Sequence, residues 1–318
     1  MNVTKALPLV ALAALSSMPV LAQGQEEASD LTPTIYGRLN LTEVMNKPQH
    51  RDSDPDMVSN ASRLGILGAI PLREGLELIY QAEYEVNPVH GKFDSDLTTQ
   101  RNSFVGLKGG FGTLMIGKYD TPTKLVQSRI DLFNDLNGDI RTLVAAENRP
   151  NDTVHYTSPE FGGGFTASFA AVFDGLDSLG DRLSKRTSSS LTYTRGSFYA
   201  GVGLDNNINS NDVLRLVAQY REGNLQLGAL YETSESSANN RGEQDGVFVS
   251  ASYQIDKFLL KAQTGASDQK REGGKQHSVG VDYLINGDSR LFAFVTVTRA
   301  DNDTVNNDQY GIGYEYRF

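Results

Sequence analysis

The chain has 318 residues, a formal net charge of −10 and no cysteine. The missing cysteines exclude disulfides, thiolate catalysis and Cys-based zinc sites, and the acidic balance argues against nucleic acid as a partner. A mean hydropathy of −0.37 suits a soluble protein, but equally a membrane barrel in which only every second side chain of a strand faces lipid.

Met1 to Lys5 is a short positive stretch, and Ala6 to Ala22 is apolar and small, broken by Ser16, Ser17 and Pro19. Val20-Leu21-Ala22 before Gln23 reads as a cleavage point, so residues 1–22 are expected to be a signal peptide and 23–33 a short leader. A membrane-anchor helix is the weaker reading, given Pro8, Pro19 and the modest length.

Beyond the leader no stretch is long and apolar enough for a transmembrane helix. The recurring unit is an alternating run of about ten residues, a turn, and another run. Arg38, Asn40 and Thr42 share one face while Leu39 and Leu41 take the other. Arg63 lies opposite Leu64 and Ile66. Further runs are Phe165 to Phe173, Phe198 to Leu204, Leu214 to Tyr220, Leu225 to Tyr231, Val247 to Ile255 and Val279 to Tyr283. Leu291 to Val297 is apolar on both faces, which leaves its register open. In the last run Tyr310, Ile312, Tyr314, Tyr316 and Phe318 lie on one face, with Gly311, Gly313, Glu315 and Arg317 on the other.

The linkers alternate in length. Short turns stand at 71–74, 109–112, 195–197, 221–224 and 256–257, and long polar loops at 45–58, 87–100, 174–186, 234–244, 267–275 and 300–307. Short connections on one side and long ones on the other are the pattern of an outer-membrane barrel. Counting the runs predicts an all-β fold in one domain over 34–318, a transmembrane antiparallel barrel of about sixteen strands. Trp is absent, although membrane-interface belts often use it beside Tyr.

From Thr121 to Asn151 the alternation stops for about 31 residues, well past the usual length of a structureless loop. The segment holds Asp131, Asp135, Asp139 and Glu147, and a short helix is expected near Ile130 to Leu136. It reads either as an exposed excursion or as a loop folded into the lumen, where its carboxylates would set a negative potential. Arg38, Arg63, Arg101 and Arg149 are the candidate counter-charges. An arginine facing lipid near mid-membrane costs about 2–4 kcal/mol, so those on strands should face inward.

Several motifs resemble the general porins of Gram-negative outer membranes. They are Thr34-Ile-Tyr-Gly-Arg-Leu-Asn40, Ser62-Arg-Leu-Gly65 with Gly68, and the hairpin Arg101 to Lys118 leading to Asp120-Thr-Pro122. Asn151 to Pro159, Phe161 to Phe165 and the terminal Tyr316-Arg-Phe318 complete the resemblance, which spans the mature chain. It implies a sixteen-stranded, usually trimeric barrel in outer-membrane lipid and lipopolysaccharide, with short periplasmic turns and long external loops. Small hydrophilic solutes and ions would diffuse through it. It also implies a third loop folded inward, with acids on the loop facing the wall cluster Arg38, Arg63, Arg101 and Arg149. Asp131 and Asp135 are the favoured acids, with Asp139 and Glu147 behind them. Leu67 stands where some members carry a further base. Phe318 would be the residue by which the barrel assembly machinery recognises the chain. The acidic balance predicts a mild preference for cations.

No enzyme chemistry stands out. His50, His90, His155 and His277 lack metal-ligand spacing, no nucleophile elbow holds a serine, and Gly201-Val-Gly203 sits inside a strand pattern. The tract Asp301 to Asp308 reads as a solvated loop more readily than as a calcium site. No cofactor or metal is expected. The alternatives are a solute-specific outer-membrane channel and an outer-membrane barrel enzyme.

Overall fold

The computed structural model describes residues 32–49, 52–89, 99–173, 186–238, 241–301 and 306–318. The predicted signal peptide, most of the leader and parts of five of the predicted long loops lie outside them.

The strands are β1 (Thr34–Pro48), β2 (Asp54–Ser59), β3 (Arg63–Arg73), β4 (Leu76–Glu85), β5 (Gln100–Gly109), β6 (Gly112–Lys118), β7 (Thr153–Thr157), β8 (Phe165–Val172) and β9 (Thr187–Arg195). They continue as β10 (Phe198–Ile208), β11 (Asn211–Glu222), β12 (Leu225–Ser236), β13 (Glu243–Ile255), β14 (Phe258–Ser267), β15 (Gly274–Leu284), β16 (Ser289–Arg299) and β17 (Asn307–Arg317). Sequence neighbours pair antiparallel, except that β2 and β3 each pair with β1 and not with one another, and β17 returns to β1 through a register running from Arg38↔Arg317 to Pro48↔Asn307. The β1–β17 pairing closes the sheet into a ring, as lipid requires of a spanning sheet. β2 and β3 pair with the upper and lower halves of the same strand β1, so they form one interrupted stave and the barrel has sixteen.

The interruption has a local cause. Ala61 takes a left-handed φ of 49°, and the Asn60 amide donates to the Asn40 carbonyl at 2.8 Å. This frees the Asn60 carbonyl to accept from Arg38 Nη2 at 2.7 Å. A second irregularity, a register shift between Ala82 and Tyr84 against β5, lets the consecutive Arg101 and Asn102 both reach inner acids. Arg101 Nε donates to Glu83 at 2.7 Å and Asn102 Nδ2 to Asp120 at 3.1 Å.

The distribution of polarity is inverted relative to a soluble protein. Ile35 is 67%, Ile312 63% and Val279 57% exposed on the outer face, while Arg215, Glu232 and Asp282 are fully buried inside. An apolar band of that extent needs lipid around it. Near the short turns, aromatic pairs ring the outside: Phe165–Tyr193 at 4.7 Å, Phe198–Tyr220 at 4.9 Å and Phe258–Tyr283 at 5.2 Å between centroids. Phe and Tyr thus build the interface girdle without Trp. At the other end one connection is short. Asn209 and Ser210, with φ of 50° and 61°, join β10 to β11 as a two-residue turn of the mirror-image type that suits hairpin twist.

Leu291, Ala293 and Val295 point outward, and Phe292 and Phe294 inward, where both are buried. That resolves the register the sequence left open. Both faces of β16 are apolar because the inner one is covered by protein.

Phe318 continues the β1–β17 ladder. Its amide donates to the Gly37 carbonyl at 3.1 Å and its carbonyl accepts from the Gly37 amide at 2.9 Å. A Cβ at Gly37 would stand 2.3 Å from the Phe318 ring, so this glycine makes room for the ring at the seam. Phe318→Ala should lower the temperature at which the barrel loses its folded mobility on gels by a few degrees. Unchanged heat-modifiability would contradict a role at the seam.

Candidate functional site

Residues 119–152 connect β6 to β7. Among the described residues they hold a four-residue helix α1 (Pro122–Leu125), capped by Thr121, and a 3₁₀ turn over Ile140–Thr142. The helix expected near Ile130 to Leu136 is absent. Asp131 instead accepts the Phe133 and Ile140 amides, each at 3.0 Å, and Asp135 takes a left-handed φ of 65°. Both fold the segment into turns.

The loop is tied at its base. The Thr121 amide donates to the Asn148 carbonyl at 3.1 Å. Asp120 sits between Lys124 and Arg149, each 2.9 Å away. These cations outweigh burial and hold its carboxyl down at about 2. Arg149, expected on the pore wall, therefore clamps the two ends of the loop together.

The body of the loop packs on inward-facing side chains. Val126, Ile130, Ile140, Leu143 and Val144 bury against Val217, Leu230 and Phe248 of β11, β12 and β13. Phe133 and Leu136 bury against Val44, Phe292 and Phe294 of β1 and β16. Small inner residues make the approach close: a Cβ at Gly228 would meet Ile130 at 3.0 Å, and one at Gly280 would meet Phe133 at 2.9 Å.

Polar contacts fix the rest. Arg215 on β11 lies 2.8 Å from Glu147 and 2.6 Å from Glu232 on β12. Glu232 also accepts the Ala145 and Ala146 amides at 2.7 and 3.2 Å. Glu147 is therefore an anchor of the loop. Arg215 and Glu232 escaped the sequence reading. Their signal is there: each is a charge on the inner face of an alternating strand, and the β11–β12 register sets them directly opposite one another.

Asp135 is the loop acid that meets the wall. Arg38 Nη2 lies 2.7 Å and Arg63 Nη2 3.0 Å from its Oδ2. Burial pushes its carboxyl up, but Arg38, Arg63 and Arg101 together hold it below the usual carboxylate range. Arg101 pairs with Glu83 at 2.7 Å and Glu85 at 3.1 Å, and Arg63 comes within 3.6 Å of Glu83. Tyr36 Oη donates to Glu83 at 2.9 Å. On the far side Glu315 joins Arg38 to Arg290, at 3.8 and 3.0 Å, and Asp282 joins Arg290 to Lys261.

Asp131 and Asp139 do not join this cluster. Asp139 accepts the Asp135 and Arg141 amides at 2.8 and 2.7 Å. Burial and the neighbouring Glu147 push its carboxyl up to about 6. Burial and Asp139 push Asp131 well above the carboxylate range. Two of the four predicted acids thus hold loop backbone.

A closed barrel with lipid-facing side chains, polar inner staves and a loop packed on its inner wall is an outer-membrane channel protein. Comparison with known proteins gives the family. A sequence profile of Gram-negative porins matches residues 9–318, and the chain belongs to that family. Outer membrane porin protein 32 of Delftia acidovorans is 25% identical over 86% of this chain and 84% of its own length. The major outer membrane protein P.IA of Neisseria meningitidis serogroup B is 25% identical over 90% and 88%. Among solved structures, an anion-selective porin from Comamonas acidovorans is similar with a TM-score of 0.73 at 21% identity, over 90% of this chain and 99% of that one. Salmonella typhi OmpF in complex with daunomycin gives 0.73 at 16% identity, over 90% and 97%. The trimer form of the Vibrio cholerae outer membrane protein OmpT gives 0.65 at 17%, over 90% and 99%.

Arg215→Met would leave Glu147 and Glu232 as uncompensated buried charges, at a cost of about 3–5 kcal/mol. Single-channel recordings of this variant should show noisy, fluctuating conductance; a quiet channel like the parent's would rule out the anchor. A second expectation concerns pH. The docked Asp139 carboxyl titrates at about 6, against about 4 for a free aspartate. Its contribution to docking is therefore fully present below about pH 4 and lost as pH rises through about 6. Amides of residues 131–145, corrected for intrinsic rate, should exchange more slowly at pH 5 than at pH 7. Equal protection at both would be inconsistent with this assignment.

Proposed function

We propose that the chain forms a water-filled channel for passive diffusion of small hydrophilic solutes and ions, narrowed where Asp135 of the 121–151 loop meets Arg38 and Arg63 on the wall. That contact carries the reading: it is the place where the loop reaches the opposite staves and brings acids and bases into one ring. A homotrimer in lipopolysaccharide-containing outer membrane, inserted by the barrel assembly machinery through the Phe318 end, is the assembly we infer from the family.

The net charge of −10 suggested a preference for cations, but the ring gives little support for it. Arg38, Arg63, Arg101, Arg290 and Lys261 stand against Asp135, Glu83, Glu85, Glu315 and Asp282, while Lys124, Arg149 and Asp120 close the base of the loop. Asp131 and Asp139 are turned to backbone, and Glu147 to Arg215. One similar solved protein is described as anion-selective, so the fold by itself does not favour cations. Field strength in a constriction follows the charges that line it, and here they balance.

In a potassium chloride gradient the reversal potential should give a permeability ratio within about threefold of unity. Asp135→Asn should shift it towards anions, and Asp131→Asn should leave it nearly unchanged. A strongly cation-selective parent channel, or an Asp135→Asn variant with unaltered ratio, would displace the selectivity ring from this contact.

A further inference from the structure

Below the ring, on the short-turn side, three arginines converge with one carboxylate between them. Arg221 shares the inner face of β11 with Arg215, Val217 and Gln219, all buried, and stands at the short-turn end of that stave. Its Nε and Nη2 donate to Gln226 Oε1 at 3.2 and 2.9 Å, across the hairpin in which Arg221 and Gln226 are register partners. Gln226 Nε2 in turn donates to the Arg129 carbonyl at 2.7 Å. One carboxamide thus ties the underside of the loop to the wall and holds the Arg221 guanidinium beside the residue that carries the next one. Arg129 is exposed. The loop lies inside the barrel, so that exposure is to the bore.

These charges are not neutralised as those of the ring are. Partial burial, and then the like charges of Arg221 and Arg317, push the Arg129 guanidinium down from its ordinary value. No carboxylate among the described residues acts on Arg129 or on Arg221. Arg317, on the inner face of β17 with Glu315, has that acid at 2.7 Å, and its side chain remains 58% exposed. Each cation of the ring, by contrast, has an acid within 3.0 Å. Guanidiniums that repel one another and lack acids are stabilised when a solute brings the negative charge.

We propose that Arg129, Arg221 and Arg317 form a site for a small phosphate-type dianion entering from the short-turn end, an inference that rests on the channel reading above. Arg129 and Arg221 donate to the phosphate oxygens the N–H groups that Gln226 does not use, and Arg317 adds its charge from β17. The planar fork of a guanidinium matches two oxygens of such a group at once, which a neutral solute or a monoanion exploits less well. The site is sided. The ring charges balance at the narrow point, whereas this excess lies on one side of it only.

Two measurements on the full chain separate the site from the channel. Calorimetric titration of the folded barrel in detergent reads binding alone. At about pH 8 inorganic phosphate is mostly dianionic and should bind with a Kd on the order of millimolar. Methanesulfonate, a monoanion, should bind at least about fivefold more weakly. Arg129→Gln and Arg221→Gln should each weaken phosphate by about fivefold or more. Arg299→Gln, which removes a cation paired with Asp308 far from the cluster, should not. In planar bilayers, phosphate should lower the ion current along a saturating curve from one side of the membrane and at least about fivefold less from the other. Glycerol 3-phosphate binding more tightly than phosphate would mark an organic phosphate as the solute, and weaker binding would mark the inorganic ion; either supports the site. Phosphate bound no more tightly than methanesulfonate, or a block of equal strength from both sides, would overturn it. Those comparisons need no variant, so misfolding of one leaves them intact. Binding without any conductance would leave the site standing and overturn the channel reading.

Discussion

Hydrocarbon offers no partner to a backbone N–H or C=O, and the rest of the structure follows from that. Each strand must be paired on both sides, so the β1–β17 ladder has to close the ring. Closure fixes which side chains face out and which face in. The seam itself is finished by Phe318, whose backbone pairs with Gly37 and whose ring lies where Gly37 has no side chain. The backbone irregularities at Ala61 and between Ala82 and Tyr84 are tolerated because their freed groups find partners inside. The Asn60 carbonyl takes Arg38, and the displaced stretch of β5 brings Arg101 and Asn102 to inner acids.

A closed sheet of this size leaves an interior that side chains alone do not fill. The 121–151 loop supplies the missing packing with a core of its own, split into two apolar clusters against opposite arcs of the wall. Charge then decides where it stops. Glu147 is drawn to Arg215 on one side and Asp135 to Arg38 and Arg63 on the other, while Arg149 and Asp120 close the base. The loop is held at three points by ion pairs of low exposure, a situation in which removing one partner is far more damaging than the pair is stabilising.

How much of this was legible in the sequence depends on the range of the physics involved. Period two is local, so strand faces, turn lengths and the sixteen staves were readable from runs such as Tyr310 to Phe318. Arg38 and Arg63 were readable as inward-facing because lipid forbids the alternative. The work of Asp131 and Asp139 was not, since a carboxylate that caps backbone amides looks the same in sequence as one that faces water. Nor was the pairing of Arg215 with Glu232, which needs the register between two strands. Phe292 and Phe294 defied assignment because the usual rule, polar inside, fails under a loop. The preference for cations was drawn from net charge, a property of the whole chain, whereas a field in a narrow passage belongs to the few groups that line it.

Those two phenylalanines have a consequence for the wall beneath the loop. Together with Val44, Val217, Leu230 and Phe248 they make apolar arcs on the inner surface. Excising the loop would therefore not widen the bore in proportion to the volume removed. Water withdraws from narrow apolar surfaces, so parts of the emptied barrel would tend to dry, or would recruit detergent and lipid tails. On the proposed reading the insert would serve as wetting agent as well as filter, making a partly oily tube one that water can fill.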